Sequence, residues 1–175
     1  VLPNHWHFLL WPEHDGDLAR FMQRLTITHV RRWQEHRHYV GLGHVYQGRY
    51  KSFPVEEDEH FLAVARYVER NALRANLVER AEQWRWGSLW RRSRVGAAER
   101  PILTTCPVEL PNDWVERVNR ADNGKELEAL RRSVCRGRPF GTPEWQRRIA
   151  KHLGLESAYR SAGRPGVANC KLFVE

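Results

Sequence analysis

This 175-residue chain has few cysteines, no long apolar run and no internal repeat. Its longest apolar stretches fall well short of the ~18 residues that a membrane-spanning helix needs. Its three cysteines, Cys106, Cys135 and Cys170, stand far apart, with no CxxC pair and no zinc-knuckle spacing. Reduced thiols in a cytoplasmic setting are the simple expectation. The first residues lack the charged-then-apolar layout of a signal peptide, because Trp11-Pro12 interrupts the apolar stretch.

What the chain does have is positive charge and aromatic bulk. Lys plus Arg total 29 against 21 Asp plus Glu, for a net charge of +8, and Arg dominates the basic set. The planar guanidinium suits bidentate phosphate contacts and stacking on bases, so nucleic acid is the expected partner. No basic amphipathic helix stands out, which argues against a membrane surface. Hydrophobic residues make up 41%, with eight Trp, enough for a packed core.

Asn4 to Trp11 reads as a buried strand, with Trp6 and Phe8 facing a core. Asp17 can cap a helix running to about His36. His44 to Val55, punctuated by Gly48 and Pro54, fits a strand plus a loop. Gln47, Arg49 and Lys51 would share one face of it, either along a phosphate backbone or simply solvated. Glu56 to about Leu77 predicts a second helix, with Phe61, Val64, Ala65, Val68 and Ala72 as its apolar stripe. Trp84, Trp86, Leu89 and Trp90 read as an aromatic anchor. An irregular segment follows, then short helices at 113–118, 125–135 and 143–152. Arg136-Gly137-Arg138-Pro139 suits either a narrow A·T-rich minor groove or an ordinary basic turn.

Candidate chemistry starts at His5-Trp6-His7. Residues i and i+2 of an extended segment project to one side, so two imidazoles stand together and make half of a divalent-metal site. Tyr67 and Asn71 lie one turn apart on the second helix. Asn71 can add an oxygen ligand, and a tyrosine beside a metal is a plausible nucleophile toward a phosphodiester.

The segments that carry these residues resemble a known family. Pro3-Asn4-His5-Trp6-His7-Phe8-Leu9-Leu10-Trp11-Pro12 is similar to the HUH motif region of single-strand transposases, U being a bulky hydrophobic residue. Tyr46-Gln47-Gly48-Arg49-Tyr50-Lys51-Ser52-Phe53 and Tyr67-Val68-Glu69-Arg70-Asn71-Ala72-Leu73-Arg74-Ala75-Asn76-Leu77-Val78 resemble the REP-associated tyrosine transposases, as does Trp84-Arg85-Trp86-Gly87-Ser88. The resemblance implies an α+β, ferredoxin-like domain with a central antiparallel sheet, followed by a helical C-terminal extension. It also implies a divalent ion, Mg or Mn, on His5, His7 and Asn71, with Tyr67 as nucleophile. Such an enzyme cleaves and rejoins single-stranded, hairpin-bearing DNA through a 5′-phosphotyrosine intermediate.

Three departures stand out: the tail, Val167 to Glu175, does not look like the family's usual basic ending, and the other two lie nearer the motifs. Residue 72 is Ala where much of the family has Pro, and the family places a strand, a helix and a strand before the motif with which this chain starts. The expectation is therefore a domain truncated at its N-terminus, with its first strand-helix-strand missing. The expected organisation is a catalytic domain over 1–92, a linker over 93–112, a basic helical region over 113–166 and an irregular tail over 167–175. Gln47, Arg49, Lys51, Arg136 and Arg138 are the expected DNA contacts of a cytoplasmic, nucleoid-associated monomer or homodimer. The alternative is a non-catalytic, truncated or domesticated DNA-binding derivative. A third reading, a metal hydrolase with His44 or His60 as an extra ligand, leaves Tyr67 without a role.

Overall fold

The computed structural model describes residues 1–41, 43–94 and 103–160. The described residues form six α-helices: α1 (Asp17–Arg37), α2 (Glu59–Arg74), α3 (Ser88–Arg94), α4 (Trp114–Asn119), α5 (Gly124–Arg136) and α6 (Pro143–His152). Short 3-10 turns cover Ala81–Gln83 and Glu156–Tyr159. No helix of the described residues is long and apolar enough to cross a membrane.

The expected central antiparallel sheet is not there, and the ferredoxin-like α+β reading is corrected. Among the described residues no strand forms, and the only ladder pairing is an isolated parallel bridge between Val55 and Phe140. The physical reason is partnership. A strand exists only when its backbone groups find a second strand. Residues 4–11 lie between Pro3 and Pro12, and Leu2 N–H donates to His5 O in a local turn (2.8 Å). Residues 44–52 carry Gly48 and no ladder. Trp6 and Phe8 do project together, stacking at 4.9 Å between ring centroids, but they do not enter a core: Phe8 is 38% exposed.

The helices follow local signals more closely. Asp58 caps α2 by accepting the His60 N–H at 2.8 Å, which starts the helix three residues later than periodicity alone suggests. Asn76, at φ 53°, closes the other end. In α1 the capping residue is Gly16 rather than Asp17, whose carboxylate instead accepts the His14 N–H from within the first turn. Pro143 opens α6, where its missing N–H costs nothing.

The chain divides into two compact units, Val1–Leu9 with Ser52 onward, and Leu10–Lys51. The second contains α1. The first is built around α2, eight of whose sixteen residues are buried. One side of α2 packs Phe61, Leu62 and Ala65 against Ala81, Leu89, Trp114 and Val118. Cys106, Val108 and Leu110 of the expected linker pack on the same cluster. Another side packs Val64 and Tyr67 against Leu130 and Phe140.

Buried Glu69 fastens α3 and α4 to α2. It accepts from Ser88 Oγ (2.6 Å), Arg92 Nε (3.3 Å) and the Trp114 indole N–H (2.7 Å). A carboxylate out of water is tolerable only with such a full set of donors. Phe140 exchanges backbone hydrogen bonds with Pro54 and Glu56, returning the chain after α5 to the foot of α2. Gly141 is required there, because a Cβ would lie 2.7 Å from both Glu56 and Trp145.

Cys106 is a free thiol. Cys170, the tail at 167–175 and the middle of the 93–112 segment lie outside the described residues.

Candidate functional site

The N-terminal segment is held where its histidines meet α2. Leu2 is buried, and the Trp84 indole N–H donates to Val1 O at 2.8 Å. His5 and His7 then stand side by side, ring centroids 5.1 Å apart and edge to face. The Tyr67 ring packs edge to face on His7 at 5.4 Å. Asn71, one turn further along α2, directs its side-chain Nδ2 to His5 Nε2 at 3.2 Å. Four residues chosen from the sequence, His5, His7, Tyr67 and Asn71, thus form one contiguous group, although the strand expected to carry two of them does not form.

The protonation states follow from these contacts. His5 Nδ1 lies 2.6 Å from Asn4 Oδ1, an acceptor only, so Nδ1 carries the hydrogen and Nε2 offers its lone pair toward Asn71. Burial, and secondarily neighbouring positive charge, lowers the His5 pKa. Burial lowers that of His7 to about 4, with the nearby positive charges, His5 foremost, adding to the effect. Both rings are therefore neutral near pH 7. Burial raises the Tyr67 phenol above its usual value, against the pull of Arg74 and Arg131, while Asp122 pushes the same way as burial.

One atom of the group is unexplained by protein contacts. His7 Nε2 is buried and has no hydrogen-bond partner among the described residues. A buried lone pair without a donor costs free energy unless something else approaches it. Two neutral imidazoles and an amide oxygen form a donor set that suits a divalent cation of the borderline-to-hard class. A half-turn of the Asn71 amide would bring Oδ1 to the side facing His5. The residues present therefore fit a metal.

Glu56, Asp58 and His60 form a second group with metal-ligating atoms, all within 4.8 Å of one another. Each has a structural task. Asp58 caps α2 and also lies 2.8 Å from the His60 ring Nδ1. Glu56 accepts the Thr142 N–H at 2.6 Å, at the start of α6.

Residues 1–71 match the family described as transposase, IS200-like. The match supports assigning this part of the chain to the IS200-like transposases. It also supports a transposase function in general, which implies binding to DNA. No curated relative and no solved structure matches the chain.

The residues expected to contact DNA outside this group are less gathered. Gln47, Arg49 and Lys51 of the matched segment are exposed, but they lie on irregular chain rather than along a strand face. Arg136, at the end of α5, is exposed. Arg138 is half-buried and committed internally, donating from Nε to Ala158 O (2.7 Å) with its guanidinium 5.0 Å over the Tyr159 ring.

Sequence reasoning passed over Arg74, which lies 4.3 Å over the Tyr67 ring, and Asp122, which grips Arg74 through both carboxylate oxygens. The signal for Arg74 was available: Arg66, Arg70 and Arg74 recur every four residues along one face of α2. For Asp122, a lone acid between helices, the linear sequence carries no comparable cue.

Proposed function

We propose that this chain cleaves and rejoins single-stranded, hairpin-bearing DNA, with Tyr67 as the nucleophile and His5, His7 and Asn71 as ligands of a divalent cation, Mg or Mn. The reading rests above all on the meeting of two neutral imidazoles, one with an orphaned buried nitrogen, with Tyr67 and Asn71. The transposase family of residues 1–71 supports it. A bound cation would neutralise charge on the scissile phosphate and make its phosphorus a better electrophile.

The chain's own residues do the rest. The α2 helix fixes the Tyr67 ring beside His7, so little motional freedom is lost when the phenol meets the phosphate. The Tyr67 oxygen attacks phosphorus and its proton passes to water. The bond from phosphorus to the 3′ oxygen breaks, and that oxygen takes up a proton and leaves as a free hydroxyl. The DNA stays attached through a 5′-phosphotyrosine, which keeps the phosphodiester energy for rejoining to a 3′ hydroxyl without a nucleotide cofactor. The positive net charge, with exposed Gln47, Arg49, Lys51 and Arg136, suits the backbone of the strand.

The test is to incubate the protein with a hairpin oligonucleotide and Mn or Mg, then look for a protein–DNA adduct on a denaturing gel. An adduct that is lost in Tyr67→Phe supports the assignment. Salt-sensitive binding with no adduct would instead point to a non-catalytic DNA-binding derivative.

A further inference from the structure

Three arginines on one face of α2 reach the same short stretch of chain, and they do not do the same thing. Arg66 donates to the carbonyls of Arg117 (2.8 Å), Arg120 (2.8 Å) and Ala121 (2.9 Å), and its Nη2 lies 3.8 Å from Asp122 Oδ1, beyond hydrogen-bond distance. Arg70 donates to Val118 O (3.0 Å) and Asn119 O (2.8 Å). These bonds satisfy carbonyls left open at the end of α4, the ordinary work of a cation at a helix C-terminus. Arg74 has a different set of contacts. Its Nε and Nη2 donate to the two carboxylate oxygens of Asp122, at 3.1 and 3.4 Å. Its Nη1 donates to Asn71 Oδ1 at 3.5 Å, and its guanidinium carbon lies 4.3 Å from the Tyr67 ring centroid. One edge of the fork is held by Asp122, the other meets Asn71, and the face lies on Tyr67.

A planar fork seized along one edge has few ways to turn. The Arg74 side chain is 11% exposed and that of Asp122 18%, so water competes weakly for either group. The cation–π contact limits the plane of the Tyr67 ring. Asp122 is supported in turn by Arg70 Nε at 3.3 Å.

We propose that Arg74, held by Asp122, is a positioning residue for Tyr67. This inference rests on the proposed function. Asp122 lies well beyond residue 71, where the family match ends. The junction of α4 and α5 is therefore part of the catalytic apparatus, because it sets the orientation of the nucleophile through one guanidinium.

The experiment uses the full chain, a hairpin oligonucleotide and Mn, with four variants: Asp122→Asn, Asp122→Glu, Arg74→Lys and Arg66→Gln. The rate of adduct formation at saturating DNA, the DNA concentration at half-saturation and the melting midpoint are read for each. Asp122→Asn and Arg74→Lys should slow adduct formation about 10- to 100-fold, the usual effect of losing a group that orients a ligand. Half-saturation should change by no more than about twofold, since neither group is assigned to DNA binding. Asp122→Glu, which keeps the charge and both oxygens, should recover most of the rate. Arg66→Gln should lower the melting midpoint and leave the rate at saturation unchanged. The inference is overturned if Asp122→Asn reacts at the wild-type rate, or if Arg66→Gln slows the reaction as much as Arg74→Lys.

A readout independent of catalysis separates the two readings. With ring-labelled tyrosine, the Tyr67 NMR signal should move in Asp122→Asn and stay in place in Arg66→Gln. If the wild-type protein forms no adduct, the proposed function fails, and this signal alone decides the positioning: a shift upholds it and an unmoved signal overturns it.

Discussion

The two longest helices make an instructive pair. Both carry apolar residues at helical spacing, yet α1 buries one of its 21 residues, Met22, while α2 buries eight of 16. In α1, Phe21 and Ile27 are each 45% exposed. Its support comes from polar contacts: the Asp17 carboxylate in the first turn, an Asp17–Arg20 pair, a Thr26 hydroxyl donating to Met22 O, and Tyr46 OH 2.7 Å from His29 Nδ1. In α2 the same kind of pattern is used on several sides. Phe61 and Leu62 pack toward Trp114, Val64 and Tyr67 toward Leu130, and Glu69 and the three arginines lock polar partners from α3 onward. Amphipathic spacing predicts that a helix forms, but its burial depends on what the rest of the chain brings to it.

The contrast can be broken first at its strongest point. Phe61 is 5% exposed in the α2 core, and Phe61→Ala should cost about 3–5 kcal/mol in urea unfolding. A cost below about 1 kcal/mol would show that α2 is no better packed than α1. A middling effect comes from pH. His7 is neutral when folded because its pKa lies at about 4, whereas the unfolded chain takes up that proton below its ordinary value of 6.5. The unfolded state thus binds more protons between those two values, and stability falls as pH drops through that window. The loss from this one group is about 2 kcal/mol between roughly pH 7.5 and pH 5, and His7→Gln should flatten the slope. An unchanged slope in that variant would remove His7 from the account. The smallest effect is expected in α1, where Phe21→Ala should change stability by no more than about 0.5 kcal/mol. A loss as large as that at Phe61 would erase the distinction between the two helices.

How legible each part was depends on the range of the interactions that make it. Helices close their hydrogen bonds within four residues, so α6 matches its expected span of 143–152, and α5 and α1 fall within a residue at either end. Even the error at the start of α2 has a local cause, the Asp58 cap. A sheet needs distant partners, and the apolar run around His5 looks the same on paper whether or not a second strand exists. The i, i+2 geometry of His5 and His7 survives the loss of the sheet, because extended backbone alternates its side chains with or without a ladder. The i, i+4 pairing of Tyr67 and Asn71 survives because α2 forms. Arg74 and Asp122 escaped notice because their meeting is tertiary, joining positions 48 residues apart.

The most direct measurement is to digest the covalent protein–DNA adduct and locate the attachment site by mass spectrometry. A nucleotide 5′-phosphate carried on Tyr67, with a free 3′ hydroxyl on the released fragment, is the predicted result. Attachment to any other residue, or cleavage that leaves no nucleotide on the protein, would contradict the account.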